Sequence, residues 1–82
     1  MTFGVIGLGY VGLPLSVEAA SSSGGLKVIG FDVNEEVVDG VNAGRSHIQD
    51  LTDDQVASLR SQGLLEATTD MARLSECDAI SI

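Results

Sequence analysis

Three glycines and one acid carry the chemistry that this sequence offers. Gly7-Leu8-Gly9-Tyr10-Val11-Gly12 is a G-x-G-x-x-G string, and Asp32 lies 20 residues beyond its last glycine. Between a strand and a helix, glycines at this spacing form a cradle for a diphosphate. Gly7 permits a tight turn, Gly9 lets phosphate oxygens approach bare backbone, and Gly12 lets the helix pack close to the strand. The unpaired N–H groups and the dipole of the helix's first turn then face the anion. An acid about 20 residues further on suits the other end of such a ligand, where its carboxylate accepts hydrogen bonds from the hydroxyls of an adenosine ribose. A carboxylate there also repels a 2′-phosphate, and the next residues are Val33 and Asn34 rather than an arginine. The expected cofactor is therefore NAD, not NADP. A glycine string alone is weak support, and two other readings compete: a structural turn with Asp32 as a helix-capping acid, and a flavin or S-adenosylmethionine site.

Positioning these residues requires a strand before the string and a helix after it. Thr2 to Ile6 is short, β-branched and aromatic, which predicts a buried strand. From Tyr10 to about Ser22 the chain reads as a helix apolar on most sides, with Val11, Leu13, Leu15, Val17, Ala19 and Ala20. Pro14 falls near its first turn, where a missing N–H costs little. Ser21 to Gly25 reads as a turn, and Leu26 to Phe31 as a second strand that delivers Asp32. Asn34 is a candidate N-cap for a helix that opens with Glu35 and Glu36, turns Val37, Val38 and Val41 inward, and ends at Gly44. A further helix begins with the capping box Thr52–Gln55 and a Leu51–Val56 staple, and stops at Gly63. Leu64 to Thr68 and Ala79 to Ile82 read as strands, separated by a short helix over Asp70 to Glu76 with Met71 and Leu74 inward.

Strands alternating with helices predict parallel pairing through right-handed crossovers. The expected architecture is α/β: a partial Rossmann (doubly wound) fold with a parallel sheet of about four strands in the order 3-2-1-4.

Composition narrows the partners. Twelve acidic residues against four basic ones give the 82-residue chain a net charge of −8. A nucleic-acid or anionic-membrane partner is not expected, because no basic patch could neutralise phosphates. Cys77 is the sole cysteine, which excludes a disulfide framework and a thiol-rich metal site and suits a reducing, cytoplasmic setting. No spacing of metal ligands is present. Cys77, His47 and the Glu35–Glu36 pair read as a half-buried small side chain, a surface residue and helix-terminus charge. No catalytic residue is expected.

The longer blocks narrow the reading further. "VIGLGYVGLPL", "VIGFDVNEE", "NAGRS" and "ATTD", in that order, resemble the NAD-binding domain of the UDP-glucose/GDP-mannose dehydrogenase family, over essentially the whole chain. Gly12-Leu13-Pro14-Leu15 is most similar to the branch acting on UDP-N-acetylhexosamines. The resemblance implies oxidation of a nucleotide sugar's C6 alcohol to a carboxylate with two NAD. It adds cofactor contacts at the backbone of Gly9, Tyr10 and Val11, completing a candidate set of Gly7, Gly9, Tyr10, Val11, Gly12 and Asp32. The family usually places a basic residue five positions after the acid, where this chain has Val37. It also implies a linking helix with most of the dimer contact and a later half with a catalytic cysteine and lysine, so residues 1–82 are expected to be the N-terminal part of the dinucleotide-binding domain, meeting a UDP-sugar only through that other half. A stand-alone NAD-binding module, or a dehydrogenase of the 3-hydroxyacid or 6-phosphogluconate type, are the alternatives.

Overall fold

The computed structural model describes residues 1–22, 26–48 and 51–81. Along the chain lie β1 (Thr2–Ile6), α1 (Gly12–Ser21), β2 (Lys27–Phe31), α2 (Glu35–Asn42), α3 (Asp53–Ser61), β3 (Leu65–Thr68), a 3-10 helix (Met71–Glu76) and β4 (Ala79–Ser81). The strands form one sheet in the order β3-β2-β1-β4, with every neighbouring pair parallel. This is the expected order. Ser23, Gly24 and Gly25 of the expected turn, and Ile82 of the expected last strand, lie outside the described residues.

Side chains alternate between the two faces of a sheet, and here the faces have different covers. Val5, Val28, Leu65 and Ala67 point to the helical side, where they join Leu13, Val17, Val38, Val41, Val56 and Leu59 in one core. Ile29 and Phe31 point the other way and are also buried. On that side the 3-10 segment contributes Arg73, whose guanidinium pairs with Glu66 at 2.7 Å. Cys77 sits over Gly4, where a Cβ would come within 2.8 Å of the sulfur. The thiol is half-buried, and that burial raises its pKa, which suits a packing role.

The caps read from the sequence form as expected. Asn34 Oδ1 accepts from the N–H groups of Glu36 and Val37 at 2.9 and 3.4 Å. Thr52 and Gln55 close a reciprocal capping box. Gly44, at φ +79°, ends α2 in a left-handed residue, with Arg45 N–H donating to Gly40 O and Gly44 N–H to Val41 O.

Helix α1 differs from expectation. It begins at Gly12, not Tyr10, because residues 9–11 are spent on the turn that follows β1.

The outer edge of β3 is closed by side chains. Its inward carbonyls, Leu64 O and Thr68 O, accept from Val28 and Asp32 of the β2 strand and its exit, which leaves the backbone N–H and C=O groups of Leu65 and Ala67 at the outer edge. Asn42 occupies that edge like a short strand: its Nδ2 donates to Ala67 O at 2.8 Å and its Oδ1 accepts from Ala67 N–H at 2.9 Å. Arg60 donates to Leu65 O at 3.2 Å and to Asn42 O at 3.1 Å. An unpaired edge is a template for aggregation, and two side chains remove most of this one. The asparagine of "NAGRS" thus serves the sheet.

Candidate functional site

The glycine string folds into a turn held from several directions. Gly7, at φ +91°, reverses the chain after β1, and its N–H donates to Phe31 O at 2.7 Å. A side chain there would be strained. Leu8 then drops inward and is fully buried. It lies on Gly30 of β2, where a Cβ would meet Leu8 Cδ2 at 2.5 Å. Gly12 closes the turn: a Cβ there would lie 1.5 Å from Gly7 O. The close approach is therefore between the helix start and the Gly7 backbone, more than between helix and strand side chains. At Gly9 nothing stands within 4 Å of where a Cβ would be. Tyr10 and Val11 are strongly exposed at 83% and 78%, so neither side chain is packed into the core beneath the turn.

Asp32 stands just past β2, half-buried. One of its oxygens accepts from Leu8 N–H and the other from Asn34 N–H, each at 2.9 Å. Each carboxylate oxygen has two lone-pair sites, so both keep capacity for a further donor. The acid therefore ties the glycine turn to the end of β2 while retaining acceptors for ribose hydroxyls. His47, which reads as a surface residue in the sequence, is exposed but not idle: its Nε2 bonds Leu8 O.

Helices α1, α2 and α3 treat their positive ends differently. α2 has a capping asparagine and Glu35 and Glu36 in its first turn, and α3 has a capping threonine with Asp53 and Asp54. α1 has no capping side-chain bond and no acid in its first turn. The N–H groups of Gly9, Tyr10, Val11 and Gly12 have no backbone or side-chain acceptor among the described residues. Four free donors at a helix start make an anion site.

Three of the four donor residues, Gly9, Val11 and Gly12, line a cleft of about 270 Å³ together with Val5, Ile6, Gly7, Leu15 and Ser81. It lies at the ends of β1 and β4, where the strand order reverses and doubly wound sheets bind their ligands. A slightly larger cleft of about 310 Å³ lies between α2 and the loop that follows it, with Asn34, Val37, Arg45 and His47 in its wall. The glycine backbone does not line it, so the smaller cleft is the better candidate for the diphosphate. The residues present fit a dinucleotide: free donors, an open Gly9 and a half-buried acid within reach of the same turn.

Residues 1–82 match the NAD binding domain of the UDP-glucose/GDP-mannose dehydrogenase family. The chain belongs to that family. NAD is accordingly its cofactor. Over 70 residues it is 46% identical to an NDP-N-acetyl-D-galactosaminuronic acid dehydrogenase of Ralstonia nicotianae, an alignment covering 84% of this chain and 16% of the relative. A UDP-N-acetyl-D-mannosamine dehydrogenase of Campylobacter jejuni is 46% identical over 66 residues, 79% of this chain and 16% of that protein. Among solved structures, a ternary complex of GDP-mannose dehydrogenase from Pseudomonas aeruginosa superposes with a TM-score of 0.87 at 29% identity, covering 100% of this chain and 19% of that one. The chain thus spans 16% of the length of these curated relatives.

Membership in this dehydrogenase family sets the remaining blocks in context. "ATTD" pairs Ala67 with Asn42, supplies the Thr68 carbonyl that Asp32 N–H donates to, and caps the 3-10 helix through Asp70 Oδ1 and Ala72 N–H at 3.0 Å. Val37, at the family's basic position, is half-buried against the core. Sequence reasoning missed Leu8, Gly30, Asn42 and His47. Only Gly30 left a trace, as an isolated glycine inside a strand, which signals close approach of another group.

Proposed function

We propose that residues 1–82 form the N-terminal part of the dinucleotide-binding domain of a nucleotide-sugar 6-dehydrogenase, acting on a UDP-N-acetylhexosamine. The parent reaction converts the sugar's C6 alcohol to a carboxylate, and NAD, when bound, accepts the hydrides. The protein is read as a cytoplasmic homo-oligomer whose sugar-binding half lies outside this segment. What supports the reading most is the N-terminus of α1, left without cap or acid where its two neighbours have both. In this reading the N–H groups of Gly9, Tyr10, Val11 and Gly12 hold the diphosphate, and Gly7 shapes the turn. Asp32 accepts from the adenosine ribose and rejects a 2′-phosphate by charge repulsion. Similarity to hexosamine dehydrogenases supports the substrate class.

Two measurements test it. Calorimetry on this chain with NAD and NADP should show a preference for NAD that shrinks in Asp32→Asn, which keeps the side chain's size without its charge. Equal binding of the two cofactors, or an undiminished preference in the variant, refutes the role of Asp32. In the protein carrying this chain, UDP-N-acetylhexosamine should yield two NADH per sugar oxidised. A yield of one, or a reaction confined to UDP-glucose, refutes the substrate assignment.

A further inference from the structure

We propose that His47 is a positioning residue for the dinucleotide turn, holding the Leu8 carbonyl so that the Gly9 N–H is aimed into the cleft. The inference rests on reading Gly7 to Gly12 as the diphosphate cradle. His47 Nε2 lies 2.5 Å from Leu8 O, across 39 residues of sequence. A carbonyl oxygen can only accept, so the ring is the donor, as the Nε2–H tautomer or as the imidazolium.

Leu8 C=O and Gly9 N–H belong to one peptide group. No peptide among the described residues is cis, and in a trans peptide the C=O and N–H point in opposite directions. A carbonyl held toward His47 therefore sends the Gly9 hydrogen away from His47. This peptide is otherwise the soft point of the turn. On one side the Leu8 residue is fixed by its buried side chain and by its N–H bond to Asp32. On the other side stands a glycine, which tolerates either sign of φ and would let the peptide flip. Flipped, it would aim a carbonyl oxygen where the N–H had pointed. The bond to His47 opposes that flip. It also polarises the peptide, since a hydrogen bond accepted at C=O strengthens the N–H as a donor.

The ring is delivered by an anchored loop. On one side of His47, Ser46 N–H donates to Asp53 Oδ1 at 2.7 Å, and Ser46 Oγ donates to Ile48 O at 3.0 Å. On the other side Ile48 is buried in the core. Both neighbours are tied down, so the imidazole reaches Leu8 without ordering a free segment.

The test uses His47→Leu, which removes the donor, and His47→Gln, which can restore one. Expected outcomes are a roughly fivefold loss of NAD affinity in the leucine variant, the size of one neutral hydrogen bond, a moved Gly9 amide resonance, and partial recovery of both in the glutamine variant. Leucine-variant affinity equal to that of the unmodified chain, or equal loss in both variants with an unmoved Gly9 resonance, overturns the proposal while leaving the NAD reading intact. If the folded, unmodified chain binds no NAD, the underlying reading falls, and the Gly9 resonance alone judges the clamp. Nitrogen chemical shifts of the His47 ring need no variant: a ring with Nε2 unprotonated also overturns it.

Discussion

Replacing Gly9 by alanine should separate cofactor affinity from stability, and the structure supplies the reason. Gly9 is not among the glycines at positive φ, and no atom stands within 4 Å of the added Cβ. An alanine fits the empty turn without strain, and by restricting the unfolded chain it should leave stability unchanged or raise it by about 0.4–1 kcal/mol. The same methyl group would stand where the backbone meets the phosphate. A hydrogen bond to a charged acceptor contributes about 1.5–3 kcal/mol, so losing one weakens NAD binding roughly ten- to a hundredfold. Gly12→Ala is the contrasting control. Its Cβ would lie 1.5 Å from Gly7 O and 2.7 Å from Gly7 C, an overlap that only backbone movement relieves. The cost is about 3 kcal/mol or more, a large fraction of the roughly 4–12 kcal/mol available to 82 residues. Urea unfolding measures the stabilities, and calorimetry with NAD measures the affinities. A destabilised Gly9→Ala chain, or one binding NAD as tightly as the unmodified chain, would refute the reasoning.

Two further outcomes follow from the sheet. Asn42→Ala should cost about 2 kcal/mol, because both outward groups of Ala67 lose their partner; urea unfolding reads the loss, and a rise in light scattering would report the reopened edge. Glu66 gives a pH dependence. The Arg73 guanidinium bonded to it holds its carboxyl below the usual carboxylate range, against some opposition from burial, and Lys27 adds to the effect. A lowered folded pKa contributes stability above the unfolded value, lost as pH falls through the folded one. Stability measured from about pH 6 down to about pH 3 should therefore decline less steeply in Glu66→Gln. Solvent screening keeps the difference below about 1 kcal/mol.

The parts of the site that were legible in the sequence are those whose function is a missing side chain or a local cap. Gly7 and Gly12 declare themselves because the turn geometry admits nothing larger, and Asn34, Thr52 and Gln55 because capping is decided within a few residues. Strand order was also legible, since alternating strands and helices leave few right-handed arrangements. Residues whose partners lie far along the chain were not. Leu8 occupies a variable position of the motif, and its burial depends on Gly30 being bare across the sheet. Asn42 reads as the end of a helix, and only the fold brings β3 beside it. His47 reaches Leu8 only because the segment after α2 returns to the turn that follows β1.

The spacing between the last glycine and the acid acquires a mechanical meaning here. β1 and β2 pair in register, Ile6 opposite Phe31, so each strand's exit is set beside the other's. Asp32 follows Phe31 directly, and its Oδ2 reaches back to Leu8 N–H. The carboxylate read as a ribose contact is thus also a strut of the phosphate turn. A change of length in the α1–β2 connection would be absorbed by the connection itself, but a change of register between β1 and β2 would move acid and turn apart. The distance that recognition requires is consequently held by paired backbone and one shared carboxylate, and the count of residues between them only reports how much chain α1 consumes on the way.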